Sequence, residues 1–270
     1  MNQLLIIDPQ NDFCDIAGAA LPVSGADADM RRLAALVQSH AEKIDSITVT
    51  LDSHASVAVE RTPFWQTAKG DGVAPFTFIT AAEVRSGAYA PRDPALTAGV
   101  IEMLEQLAAR GRAGLVVWPV HCVTGTWGHN IHSALADSLQ AWEFSRQRAV
   151  RKVLKGEYPL TEHFGVFEAD VPVQGIASTQ FNTALAAALS TGVDLLLLAG
   201  EASSHCVAAS FDQLAGYLAQ HNGAQPRIIV LRDGMSPVAG FESAADDFFE
   251  RARAFGAEIM STRDAGSLLV

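Results

Sequence analysis

Val193-Asp194-Leu195-Leu196-Leu197-Leu198-Ala199-Gly200-Glu201-Ala202-Ser203-Ser204-His205-Cys206 runs from an apolar stretch through a glycine into a segment of helical period. It reads as a buried strand that turns into a helix, with an unpaired cysteine at the turn. First-turn amides and the helix dipole favour an anion, so the Cys206 thiol is expected to ionise more easily than a free cysteine, whose pKa is ~8.5. That makes Cys206 a candidate nucleophile. Unpaired cysteine is also a common inert core residue, and the stretch alone leaves both readings open.

Similar apolar runs recur. Strands are predicted at Leu4 to Ile7, Ser46 to Leu51, Gly114 to Trp118, Ala149 to Leu154, Val193 to Ala199 and Arg227 to Leu231. Helical periods fall at Asp27 to Glu42, Pro94 to Arg110, Gly128 to Trp142, Thr179 to Thr191, Ser204 to Gln220 and Ser243 to Phe255. The strands read as apolar throughout, as parallel strands buried on both faces do. Alternation of strand and helix gives the fold class: α/β, a doubly wound parallel sheet with helices on both faces. At 270 residues, one domain spanning 1–270 is expected. The stretch 53–94 breaks the rhythm with Pro63, Pro75, Pro91 and Pro94, and reads as an insertion, lid or oligomer contact.

Hydrophobic residues make up 49% of the chain and charged residues 18%, a globular rather than a disordered composition. A formal charge of −11 argues against a phosphate-binding face of clustered Lys and Arg, so no nucleic-acid partner is expected. No apolar run approaches the ~20 residues of a membrane helix, and Leu4 to Ile7 is too short for a signal peptide. Cys14, Cys122 and Cys206 form neither a disulfide framework nor a zinc-finger spacing, which fits a cytoplasmic location.

In doubly wound sheets ligands sit beyond the carboxyl ends of the strands. Those ends carry Asp8, Asp52-Ser53-His54, a segment leading to His121, Lys155 and finally Cys206. Cysteine, carboxylate and ammonium together meet the needs of covalent acyl transfer: Cys206 as nucleophile, Asp8 as base, Lys155 as electrostatic partner. Taken singly, Asp8 also reads as a turn acid and Lys155 as a surface lysine. Asp52 and His54, two apart in extended chain, point the same way, and with His121 they make the three-ligand set of a catalytic metal. His129, His132, His163 and His205 have no such arrangement and read as surface or supporting residues. Cys14 and Cys122 read as core or pocket wall. GxGxxG, GxxxxGK, HExxH and GxSxG patterns are absent, which argues against dinucleotide, P-loop, zincin and serine-hydrolase chemistry.

These residues resemble the isochorismatase-like cysteine hydrolases, and within them the nicotinamidases, over nearly the whole chain. Leu5-Ile6-Ile7-Asp8-Pro9-Gln10-Asn11-Asp12-Phe13-Cys14 is similar to the family's opening strand and catalytic aspartate. Trp118-Pro119-Val120-His121-Cys122-Val123-Thr124-Gly125-Thr126 resembles the nicotinamidase segment that carries a metal-binding histidine, Lys155-Gly156 the catalytic lysine, and Gly200 to Cys206 the nucleophile turn.

The resemblance implies a three-layer fold with six strands in order 3-2-1-4-5-6. It also implies a Cys-Asp-Lys triad and a divalent metal, zinc foremost or else iron or manganese, on Asp52, His54 and His121. Phe13 and Trp118 would wall a ring pocket. The amides of Ala202 and Cys206 would form an oxyanion hole beside a cis Glu201–Ala202 peptide. The implied reaction is hydrolysis of a small amide, nicotinamide to nicotinic acid and ammonia in NAD salvage, through a thioacyl-enzyme in a homo-oligomer. The competing readings are a metal-independent hydrolase of the isochorismatase kind and a non-catalytic oligomeric thiol module; the full ligand set favours the nicotinamidase branch. Glu201 stands where the family usually has an aliphatic residue. Gly128-His129-Asn130 and Thr161-Glu162-His163-Phe164-Gly165 also depart from its pattern, and the 53–94 stretch is longer.

Overall fold

A computed structural model describes every residue except Asn222 and Val270. In chain order it runs β1 (Asn2–Ile7), α1 (Ala26–Ser39), β2 (Ser46–Asp52), β3 (Trp65–Thr67), β4 (Thr77–Ile79), α2 (Ala81–Ser86), β5 (Tyr89–Pro91), α3 (Thr97–Ala109) and β6 (Leu115–Val117). There follow α4 (Ser133–Arg146), β7 (Arg151–Lys155), α5 (Thr183–Ala188), β8 (Leu195–Gly200), α6 (Cys206–Gln220), β9 (Arg227–Leu231), α7 (Glu242–Phe255), β10 (Glu258–Met260) and α8 (Thr262–Gly266).

The period-two geometry of a strand divides each apolar run between two cores. Leu4 and Ile6 of β1, with Leu195, Leu197 and Ala199 of β8, pack against Met30, Leu33 and Val37 of α1 and Leu135, Leu139 and Trp142 of α4. Their neighbours Leu5, Ile7, Leu196 and Leu198 face Val207, Phe211 and Leu214 of α6 and Phe248 of α7 on the other side. The result is a sheet between two helical layers.

The six-stranded parallel sheet has the order β10-β9-β8-β1-β2-β7. Numbered as they follow in the chain, its strands lie in the order 3-2-1-4-5-6, as the resemblance implies. Its membership differs from the expectation. The run Gly114 to Trp118 forms β6, which pairs antiparallel with β4 outside the main sheet, and β10 takes the vacated sixth place. The cause is a separate core: Leu115 and Val117 are buried against Val59, Phe64, Trp65, Ile79 and Leu104 rather than against the main sheet. An apolar run reveals burial but not the burying partner. β7 is an edge strand whose residues are mostly exposed until Lys155, so its run is not apolar throughout.

The stretch 53–94 is folded. β3 and β5 pair antiparallel, and α2 starts on a capping box between Thr80 and Glu83. Among the described residues no helix is long and apolar enough to cross a membrane.

Strand order reverses between β1 and β8, which opens a crevice at their carboxyl ends. There Gly200 has φ +115°, and a Cβ on it would stand 2.0 Å from the Ile7 carbonyl oxygen. Only glycine lets β8 lie this close to β1 while Glu201 N–H donates to Ile7 O at 2.8 Å.

Candidate active site

Asp8 follows β1, Lys155 ends β7 and Cys206 opens α6, and the parallel sheet delivers all three to one crevice. Lys155 Nζ lies 2.9 Å from Asp8 Oδ2, 2.7 Å from Asp52 Oδ1, 3.0 Å from the His163 carbonyl oxygen and 3.6 Å from Cys206 Sγ. All are buried. Asp8 has φ +43°, a left-handed conformation rare for a non-glycine residue and concentrated at functional sites. Its amide donates to Thr50 Oγ1 at 3.0 Å, and the Thr50 hydroxyl donates back to Asp8 Oδ1 at 2.5 Å.

Burial opposes the charge on every member. It raises the Asp8 pKa despite the Lys155 ammonium, whereas Asp52 and Asp8 together overcome burial at Lys155 and hold it charged, well above the usual lysine range. Burial also pushes the Cys206 thiol well above its usual value; Lys155 opposes this, and Asp8 and Asp52 add to it. The expected ease of ionisation therefore does not hold in the resting site. A thiol only 7% exposed keeps its proton, because the helix start is outweighed by desolvation and the charges of Asp8 and Asp52.

Asp52, His54 and His121 also come together, their ligand atoms all within 4.8 Å of one another. His121 does not arrive from a main-sheet strand. The loop after β6 is stitched to β2's exit by His54 N–H to Cys122 O (3.1 Å) and Thr124 N–H to His54 O (3.1 Å), and Asp12 accepts from the Cys122 amide at 2.7 Å. Cys122 itself has φ +48°. At Gly156, φ +82°, a Cβ would meet the His54 ring at 2.5 Å, so the glycine after Lys155 is required for His54 to sit where it does.

His54 Nε2 is 2.8 Å from Asp52 Oδ2, and Nδ1 is 2.9 Å from Glu60 Oε1. Burial disfavours its charge, but the carboxylates of Asp52 and Glu60 together outweigh burial and lift its pKa to about 9. His121 goes the other way: burial and then Arg61 depress it to about 4. Two imidazoles and a carboxylate, buried and convergent, fit a divalent transition metal. Glu60, which holds the far nitrogen of His54, fits the carboxylate that orients a metal-ligating histidine.

Arg61 was not foreseen. Fully buried, it puts Nη1 2.9 Å from Nε2 and 2.5 Å from Nδ1 of His121, with Nη2 4.0 Å from Asp52 Oδ2 and Nε 3.4 Å from Glu60 Oε1. The only signal for Glu60 and Arg61 was a charged pair set between Ala58-Val59 and Pro63-Phe64-Trp65, an apolar context in an irregular stretch.

A cavity joins the two clusters, lined by Cys206 and Ala202 as well as by Asp52, His54, Arg61 and His121. Phe13, Trp118, Phe164 and His205 wall it; Phe13 and His121 ring centres are 5.1 Å apart, and Trp118 and His205 5.3 Å. Glu162 was also missed: its oxygens accept from Trp118 Nε1 (3.2 Å) and the His163 amide (3.0 Å), and burial, then Glu60 and Asp170, lift its pKa to about 7. None of the four remaining motif histidines is a free surface group. His129, His132 and His163 are buried, and His205 lines the cavity. Cys14 lies in the core and Cys122 behind Phe13 and Trp118.

The Glu201–Ala202 peptide is cis. Glu201 is turned away from the cavity, accepting from Ser236 N at 3.1 Å. Burial and the adjacent Asp29 raise its pKa well above 4.5, so it is a neutral acid. Asp29 in turn accepts from Ser236 Oγ at 2.6 Å.

No protein-family model matches the chain, and no curated protein matches it. Solved structures do. Yeast nicotinamidase Pnc1p is 21% identical with a TM-score of 0.63, covering 96% of this chain and 99% of its own. An Acinetobacter nicotinamidase/pyrazinamidase is 17% identical with a TM-score of 0.64, covering 98% and 97%. The pyrazinamidase of Pyrococcus horikoshii, solved in complex with zinc, is 19% identical with a TM-score of 0.54, covering 96% and 98%. Together with the strand order, these likenesses show that the chain has the isochorismatase-like α/β fold of the nicotinamidases and pyrazinamidases.

Proposed function

We propose that the protein is a cysteine amidohydrolase that cleaves a small aromatic carboxamide of the nicotinamide type to the acid and ammonia. The observation that carries this reading is the meeting of a thiol, a carboxyl group and a fixed ammonium, with the thiol lining a cavity walled by aromatic rings. The activity in the names of the yeast and Acinetobacter neighbours supports it.

In this reading Asp8 takes the Cys206 proton as the thiolate attacks the amide carbon. Holding the thiol neutral until then keeps a buried nucleophile inert without substrate, and Lys155 stabilises the negative charge as it moves. Cys206 opens α6, so its N–H has no acceptor in a preceding helical turn, and with the Ala202 N–H it receives the oxyanion. Asp8 then protonates the departing ammonia. Water, deprotonated by Asp8, hydrolyses the thioester and frees the acid. Phe13 and Trp118 hold the ring, and the cavity excludes the bulk of solvent.

Asp52, His54 and His121 would hold a divalent metal, zinc as in the Pyrococcus neighbour or else iron or manganese. Bound there, such an ion supplies a Lewis acid for a heteroatom of the substrate. The reading extends to a homo-oligomer in cytoplasmic NAD salvage. The test is ammonia release from nicotinamide, pyrazinamide and a panel of linear amides by purified protein supplied with zinc, iron or manganese. Release dependent on Cys206 supports the proposal; no release from any amide under any metal removes it.

A further inference from the structure

Trp118 needs an anchor that its packing does not give it. Its indole makes T-shaped contacts with Phe76, Phe164 and His205, with ring centres 5.8, 6.2 and 5.3 Å away. Such contacts fill space beside the ring, and the torsion that turns an indole is broad, so they do not fix which way the ring lies. The indole N–H does. It donates to Glu162 Oε2 at 3.2 Å, and among the described residues it has no other partner.

Glu162 is itself held through its other oxygen. Oε1 accepts from the His163 amide at 3.0 Å, and the Glu162 carbonyl oxygen accepts from the Asp170 amide at 2.8 Å. Among the described residues no lysine, arginine or histidine forms an ion pair with this buried carboxyl. Arg112 pairs with Asp170 at 2.7 Å instead and lies over the Phe164 ring. A carboxyl group buried without a cation is a burden on stability, of the kind that proteins keep at functional sites. His163 connects it to the thiol cluster, since its carbonyl oxygen accepts from Lys155 Nζ at 3.0 Å. One side chain thus ties a wall of the cavity to the peptide that holds the ammonium.

We propose that Glu162 is a positioning residue for ring substrates: its carboxyl fixes the Trp118 indole in the orientation against which an aromatic carboxamide packs. This rests on the reading of the cavity as an amidase site with Trp118 against the ring. Acting through Trp118 rather than on the reacting amide, Glu162 contributes to binding of the ring and not to the chemical step.

The test is a double-mutant cycle on the steady-state kinetics of nicotinamide and pyrazinamide hydrolysis, with the full chain supplied with zinc, iron or manganese. The variants are Glu162→Ala, Glu162→Met, Trp118→Phe and Glu162→Ala/Trp118→Phe. Far-UV circular dichroism and melting establish that each is folded; Glu162→Met fills the space of the carboxyl without an acceptor and serves, alone and with Trp118→Phe, if the alanine does not fold. Removing Glu162 is expected to raise KM roughly tenfold, the scale of one hydrogen bond to a carboxyl group, with kcat changed less. Trp118→Phe keeps an aromatic wall but has no N–H to orient, so losing Glu162 in that background should raise KM by less than about twofold more, within the usual error of additivity. The same rise in both backgrounds, an unchanged KM, or a fall in kcat alone overturns the positioning role and leaves the amidase reading standing. Turnover of no amide by the wild type overturns both.

Discussion

Lys155 Nζ lies 2.9 Å from Asp8 Oδ2, with both side chains all but removed from solvent. The same ammonium also reaches Asp52 at 2.7 Å, so one cation joins the carboxyl of the thiol cluster to a residue of the candidate metal cluster. The electrostatic role proposed for Lys155 and its part in folding are therefore not separable.

Lys155→Ala would leave the buried carboxyl of Asp8 without its cation and remove one of the cations around Asp52. Loss of one partner of a buried pair costs about 3–5 kcal/mol, so this variant should lose stability on that scale as well as turnover. The check is chemical denaturation alongside the ammonia assay. A variant as stable as wild type would show that the pair contributes little.

Glu201→Gln keeps the shape, and the Ser236 amide contact, of a side chain that is already neutral. The folded-state pKa of Glu201 is raised, so the folded protein holds a proton that the unfolded chain has lost above pH 4.5. Stability attributable to this group is full below 4.5 and falls as pH rises towards the folded pKa. The glutamine carries no such linkage, so its stability relative to wild type should increase with pH across that window. Parallel melting temperatures of the two proteins from pH 4 to 8 would contradict a protonated Glu201.

Gly156→Ala places a methyl group against the His54 ring on backbone of positive φ. Strain of this kind costs on the order of 1–3 kcal/mol. The expected result is a lower melting temperature and, because His54 is displaced, at least about tenfold weaker Co²⁺ binding. Wild-type behaviour in both would mean that the loop absorbs the methyl without moving the ligand.

The central strands were legible because β1, β2, β8 and β9 are short runs buried on both faces, and the convergence of Asp8, Asp52, His54, Lys155 and Cys206 follows from their parallel alignment. Membership at the sheet's edges was not. β10 has three half-buried residues, too few for a period, and β6 looks like a core strand because a different core buries it. Arg61, Glu60 and Glu162 escaped for another reason. They lie in irregular chain, where no periodicity says which way a side chain points, and their burial comes from partners distant in sequence. The thiol's protonation was misjudged because position at a helix start is local and readable, whereas desolvation and the two carboxylates are tertiary.

The most direct measurement is mass spectrometry of the intact protein quenched during turnover of nicotinamide, paired with hydroxylamine trapping. Wild type should carry a nicotinoyl thioester on Cys206 and divert product to the hydroxamic acid when hydroxylamine is present; Cys206→Ala should do neither and release no ammonia. Ammonia release by Cys206→Ala at the wild-type rate would contradict the account.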